Sequence, residues 1–127
     1  SIILIAHETG FSSIKSLVEH AISLELTNPI HLYWVTRHKN GHYLENYCRA
    51  WKDALDNFDF SLIQNEVADL ADVSMLQKKL VTDFSKLGNF DIYATGQKAT
   101  NINLRQFLLD SGADLQRLFF DTSEYFQ

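Results

Sequence analysis

Cysteine and proline are almost missing from this 127-residue chain, which holds one of each, Cys48 and Pro29. One cysteine rules out an intrachain disulfide, so a reducing compartment is the simplest setting and a cytoplasmic location is expected. Positive charge is also scarce: 11 Lys and Arg face 16 Asp and Glu, a net charge of −5. Nucleic-acid surfaces need clustered Lys and Arg, so no nucleic-acid partner is expected. No apolar run nears the roughly 20 residues that span a bilayer, so no membrane span is predicted. No charged-apolar-small leader precedes the first strand, and the chain opens without Met, as a domain cut from a longer protein would. An apolar share of 46% with 21% charged residues excludes general disorder. Repeats and low-complexity segments are lacking too.

What is present begins with Ile2-Ile3-Leu4-Ile5-Ala6, an apolar run too short for a helix and rich in β-branched residues. It reads as a strand buried on both faces, as inside a parallel sheet. Thr9-Gly10 allows a tight turn and Ser12-Ser13 can cap a helix, after which Ile14, Leu17, Val18, Ala21 and Ile22 follow helical spacing. Strand, turn and helix N-terminus together suit a phosphate-bearing ligand, because unpaired N–H groups and the helix dipole favour negative charge there.

The same grammar continues. Ile30 to Val35 predicts a second strand, a turn at His38 to His42 follows, and Tyr43, Leu44, Tyr47, Cys48, Trp51 and Leu55 mark a second helix. Phe58 to Ile63 alternates and reads as an edge strand, and Gln64 to Asp72 as a loop. Val73, Leu76, Leu80, Val81, Phe84 and Leu87 predict a third helix with Gly88 as its C-terminal cap. Phe90 to Ala94 is a fourth strand ending at Thr95-Gly96. Ile102, Phe107 and Leu108 sit on a fourth helix stopped by Ser111-Gly112, and Arg117 to Phe120 is a last short strand. Strictly alternating strands and helices imply a parallel sheet with right-handed crossovers and helices on both faces. Ligands of such sheets sit beyond the carboxyl ends of the strands, where the winding reverses. If strand one is central, His7 to Ser12 and Thr95 to Lys98 line that mouth.

Four pieces in register carry a resemblance: Thr9-Gly10-Phe11-Ser12, Pro29 to Trp34 leading to Arg37, Asp91-Ile92-Tyr93 ending at Gly96, and Phe119-Phe120. In that order they resemble the pyridine-nucleotide-binding domain of the ferredoxin–NADP reductase superfamily, nearest the NAD(P)H–flavin reductases and oxygenase reductase components. The resemblance spans essentially the whole chain. It implies an α/β, three-layer Rossmann-like domain over residues 1–127 with about five parallel strands in the order 3-2-1-4-5. It implies NADH or NADPH as cofactor, FAD or FMN held mainly by a flavin domain elsewhere in the same chain, and hydride transfer between them. An oxygenase, an iron–sulfur protein or free flavin would be the redox partner. Carried across by position, Thr9, Gly10, Phe11 and Ser12 are the pyrophosphate turn and Arg37 stands near the adenosine end. Thr95 is the catalytic candidate beside the nicotinamide, with Gly96 and Gln97. No metal is expected.

The chain also departs from that pattern. His7-Glu8 replaces a Gly-Gly pair, Thr95 replaces a cysteine, and Gln97-Lys98 replaces Pro-Pro. Side chains at 7 and 8 crowd a glycine approach, and a carboxylate repels a pyrophosphate. The alternative is a fold that has lost nucleotide affinity and serves as a regulatory or interaction module. Arg37 is otherwise a solvated charge, Thr95-Gly96 a strand-ending turn, and Thr9 to Ser12 a turn and cap without ligand. His7, Glu8, His38 and His42 would make a zinc set only if they converge, and His38 and His42 lack helical register. His20 is expected on a helix surface, His31 in strand packing, and Cys48 as inert core. Glu66, Asp69 and Asp72 read as a solvated loop. Glu124-Tyr125-Phe126 is either a tail packed on the last strand or an aromatic on the flavin side.

Overall fold

The computed structural model describes residues 1–7, 11–24, 27–36, 45–64 and 72–122. Five strands, β1 (Ile2–His7), β2 (Ile30–Thr36), β3 (Phe58–Gln64), β4 (Asp91–Gly96) and β5 (Leu118–Thr122), alternate with four helices. These are α1 (Phe11–Ser23), α2 (Glu45–Ala54), α3 (Ser74–Asp83) and α4 (Lys98–Asp110), and a 3₁₀ turn at Leu115–Arg117 leads into β5. The sheet order is β3-β2-β1-β4-β5 and every pairing is parallel. The expected α/β architecture and strand order are thus what the chain forms.

Residue parity in the strands sorts the core into two layers. Ile3, Ile5, Tyr33, Val35, Ile92 and Ala94 face α3 and α4, meeting Leu76, Leu80, Leu104 and Leu108. Leu4, Ala6, Leu32 and Trp34 face the opposite way onto α1 and α2, meeting Phe11, Ile14, Val18, Cys48 and Trp51. Because β1 and β2 are covered on both sides, nearly every position in them is apolar. Phe11 stacks on Trp34 with ring centroids 4.2 Å apart, clamping the start of α1 to the sheet. Burying such a ring fully contributes about 1.5–3 kcal/mol.

Several boundaries differ from the sequence expectation. The third helix ends at Asp83: Phe84 is already extended, with φ −134° and ψ 127°, although its N–H still donates to the Leu80 carbonyl. That conformation seats the Phe84 ring 4.8 Å from Phe90. Gly88 is therefore no helix cap, and Leu87 is buried from an irregular segment. The left-handed glycine among the described residues is Gly112, at φ 93° just past α4, where Ala113 N–H returns to the Leu108 carbonyl. The first helix starts at Phe11, so Ser12 and Ser13 lie within its first turn rather than capping it. Arg117 belongs to the 3₁₀ turn, not to β5, and its guanidinium holds Asp91 at 2.9 Å. Ile22, Tyr47, Val81 and Ile102 are exposed despite their apolar character. The expected turn at 38–42, the start of the second helix at 43 and 44, and the Glu66 and Asp69 loop lie outside the described residues.

Candidate functional site

The crossovers reverse direction between β1 and β4, so their carboxyl ends make the sheet's mouth. β1 delivers His7 there and β4 delivers Thr95 and Gly96, with Ala6 opposite Thr95 and Gly96 opposite Thr122 of β5. The N-termini of α1 and α4 begin at Phe11 and Lys98, immediately beyond these strand ends. Two helix starts, whose first N–H groups have no partner within the helix itself, thus converge on one sheet mouth.

Gly96 is tightly enclosed. A Cβ there would lie 3.2 Å from the His7 Cβ, 3.4 Å from Asn101 Oδ1 and 3.4 Å from His7 Nδ1. The absence of a side chain is what lets His7 and α4 approach the strand end. Asn101, buried one turn into α4, donates through Nδ2 to the carbonyls of Gly96 (3.3 Å) and Asp121 (3.1 Å). It therefore ties the ends of β4 and β5 together. Asp121 also accepts a hydrogen bond from Ser13 Oγ at 3.4 Å, linking β5 to the first turn of α1.

Three polar atoms in this cluster are buried without a partner: His7 Nδ1, His7 Nε2 and Asn101 Oδ1. Burial pulls the imidazole down to about 4, an effect only partly offset by the Thr95 main chain. At neutral pH the ring is uncharged, with one N–H donor and one acceptor nitrogen. Unsatisfied buried groups of this kind are uncommon in folded proteins.

Of the expected site residues, the structure brings Phe11, Ser12, Thr95, Gly96 and Gln97 to the same mouth. Phe11 turns its ring into the core, so its backbone is the part that can face a ligand. Thr95 is also buried, at 2% exposure, while Ser12 is exposed and Gln97 precedes α4 as its N-cap residue. Thr9, Gly10 and Arg37 lie outside the described residues, as do Glu8, His38, His42 and Glu124 to Phe126. Among the described residues no group of three His, Cys, Asp or Glu side chains could hold a metal.

Sequence reading overlooked Asn101 and Asp121. An Asn inside a helix competes for its own backbone and is disfavoured there, which is the one signal that could have flagged Asn101.

Away from the mouth the singled-out residues are structural. His31 stacks on Tyr33 at 4.3 Å and pairs through Nε2 with Ser61 Oγ at 3.0 Å, while burial lowers its pKa. Tyr33 donates its hydroxyl to Asp83 Oδ2 at 2.6 Å. Cys48 is buried, and desolvation pushes its thiol up to about 12, so it is inert. His20 is exposed on α1. An open cavity of about 470 Å³ lies at the opposite, amino-terminal end of the strands, where Ile2, Ile30, His31, Phe58 and Phe90 meet, far from the helix N-termini.

No protein-family model matches the chain. It is 31% identical over 123 residues to an NAD(P)H-flavin reductase of Vibrio harveyi, covering 94% of this chain and 52% of that protein. The chain spans about half the length of the curated relatives it matches. Its fold superposes on the cytochrome P450 reductase GcoB of Amycolatopsis with a TM-score of 0.82 at 14% identity, covering 95% of this chain and 37% of GcoB. Against the ferredoxin-NADP+ reductase of Plasmodium falciparum the TM-score is 0.76 at 17% identity, covering 97% of this chain and 52% of that one. The chain is thus similar in sequence to about half of an NAD(P)H-flavin reductase, and its fold is that of a Rossmann-like domain found within a ferredoxin-NADP+ reductase.

Proposed function

We propose that this chain is the nucleotide-binding domain of a longer NAD(P)H-dependent flavin oxidoreductase. The observation that carries the reading is the convergence of two helix N-termini on the β1–β4 switch point, with a glycine closing the floor. Sequence similarity to an NAD(P)H-flavin reductase along nearly the whole chain supports it. The residues fit such a ligand: the bare Gly96 backbone lets His7 and Asn101 close on the strand end, and polar atoms of both are buried there without full hydrogen-bond partners.

In this reading the pyrophosphate lies over Thr9, Gly10, Phe11 and Ser12, where backbone N–H groups and the α1 dipole offset its charge. Arg37 serves the adenosine end, where its planar fork suits a ribose phosphate. Thr95, Gly96 and Gln97 flank the nicotinamide. The Thr95 main chain and Gly96, which has no side chain, set how deep the ring sits, and Asn101 holds that strand end against β5. A bound nicotinamide supplies a hydride and a flavin accepts it; the protein's part is orientation and exclusion of water. FAD or FMN is held mainly by a flavin domain elsewhere in the same protein, beyond residues 1–127, with an oxygenase, an iron–sulfur protein or free flavin downstream.

A second reading, a binding module without nucleotide affinity, is favoured by His7 standing where the family pattern has glycine, with its ring packed against Gly96. Calorimetric titration of NADH and of NADPH into the purified chain separates the two. Binding at micromolar to submillimolar concentration supports the first reading. Absence of heat up to several millimolar of either nucleotide would replace it with the second.

A further inference from the structure

We infer that His7 and Asn101 form a paired donor–acceptor site that recognises the carboxamide of a nicotinamide ring at the β1–β4 switch point. The inference rests on the nucleotide reading above and assigns two residues that the family resemblance leaves without a role. Its first support is stereochemical. The Asn101 amide is oriented by its own bonds: Nδ2 donates to the Gly96 and Asp121 carbonyls, so Oδ1 must point away from both. The reverse orientation would set an acceptor against two carbonyl oxygens. Oδ1 then lies against Gly96 on the side that also meets His7 Nδ1, each 3.4 Å from the position a Cβ would take.

The second support is the missing partners. Asn101 is 6% exposed with an unpaired acceptor, and both His7 nitrogens are buried with no partner at full hydrogen-bond geometry, only a weak interaction with the Thr95 main chain. Each such atom carries a desolvation penalty that no partner offsets. A carboxamide has the complementary set: its carbonyl accepts from the imidazole N–H, and its NH2 donates to Asn101 Oδ1. Water is a poorer match, because solvent does not reach these atoms in the structure. A bound carboxamide supplies partners that no described side chain supplies.

The test compares NADH with ADP-ribose, which shares the pyrophosphate and adenosine but has no nicotinamide. Dissociation constants are measured for the chain, for His7→Ala and for His7→Gln, with thermal unfolding confirming that each variant folds. The unsubstituted chain should bind NADH more tightly than ADP-ribose. His7→Ala should weaken NADH roughly three- to tenfold, the worth of one neutral hydrogen bond, and leave ADP-ribose unchanged. His7→Gln, which keeps a donor and an acceptor, should recover part of the loss. Asn101→Ala should narrow the same ratio; if that variant does not fold, the His7 pair decides. An unchanged NADH to ADP-ribose ratio in His7→Ala would overturn the inference while leaving the nucleotide reading intact. Tighter NADH binding in His7→Ala would overturn it as well, by showing that the ring obstructs the cleft. If the unsubstituted chain binds neither ligand, the nucleotide reading fails and this inference fails with it.

Discussion

Lowering the pH from 8 to 5 should remove about 2 kcal/mol of folding stability through His7 alone. In the folded chain burial holds the imidazole at about 4, whereas an unfolded histidine titrates near 6.5. The folded pKa is the lower one, so the unfolded state takes up the proton first. Stability is full above pH 6.5 and drains away as the pH falls toward 4, to a limit of about 3 kcal/mol. At pH 5 most unfolded chains carry the proton and few folded ones do, which gives about 2 kcal/mol. Urea unfolding followed by tryptophan fluorescence reads this directly, because Trp34 and Trp51 are both buried. The control is His7→Leu, which keeps an apolar side chain of similar bulk and removes the titration. His31 is also lowered by burial and persists in both proteins, so the difference between them isolates His7. The gap between the two stability curves should open by about 2 kcal/mol from pH 8 to 5. Parallel curves would refute the buried, neutral imidazole and with it the geometry proposed for the mouth.

Three further outcomes follow from the packing. Phe11→Ala empties a wholly buried ring site against Trp34 and should cost about 3–5 kcal/mol, lowering the urea midpoint and loosening the start of α1. Gly96→Ala drives a Cβ to 3.2 Å from the His7 Cβ. It should destabilise the fold by about 1–3 kcal/mol and weaken NADH binding, whereas Gly112→Ala, at positive φ but with open space around it, should destabilise the fold and spare binding. Cys48, with its thiol raised to about 12, should stay unmodified by an aromatic disulfide reagent at pH 8 until urea unfolds the chain.

The fold was legible because its constraints are redundant. Ile2 to Ala6 and Ile30 to Val35 are apolar on both parities, and only a sheet covered on both faces asks for that. Alternation with amphipathic helices then leaves few topologies. Helix ends were less legible, since Phe84 and Leu87 continue the apolar spacing of α3 while the chain has already left the helix. Spacing marks which residues seek burial, and tertiary packing decides how they reach it. The same limit explains Val81 and Ile102, apolar residues on exposed helix positions. At the site, the strand ends Thr95-Gly96 and the helix start at Phe11-Ser12 were readable from turn chemistry. Asn101 was not, because its role depends on β4, β5 and α4 meeting at one point, a long-range coincidence absent from local pattern.

In the proposed function a nicotinamide nucleotide binds at the carboxyl ends of β1 and β4. The most direct test is to titrate NADH into the isotopically labelled chain and follow backbone amide shifts. The N–H signals of Phe11, Ser12, Gly96, Gln97 and Asn101 should move in a saturable way, while those of Asn57 and Asp59 at the amino-terminal end of the sheet stay still. Shifts centred on that amino-terminal end, or none at several millimolar NADH, would contradict binding at the carboxyl ends.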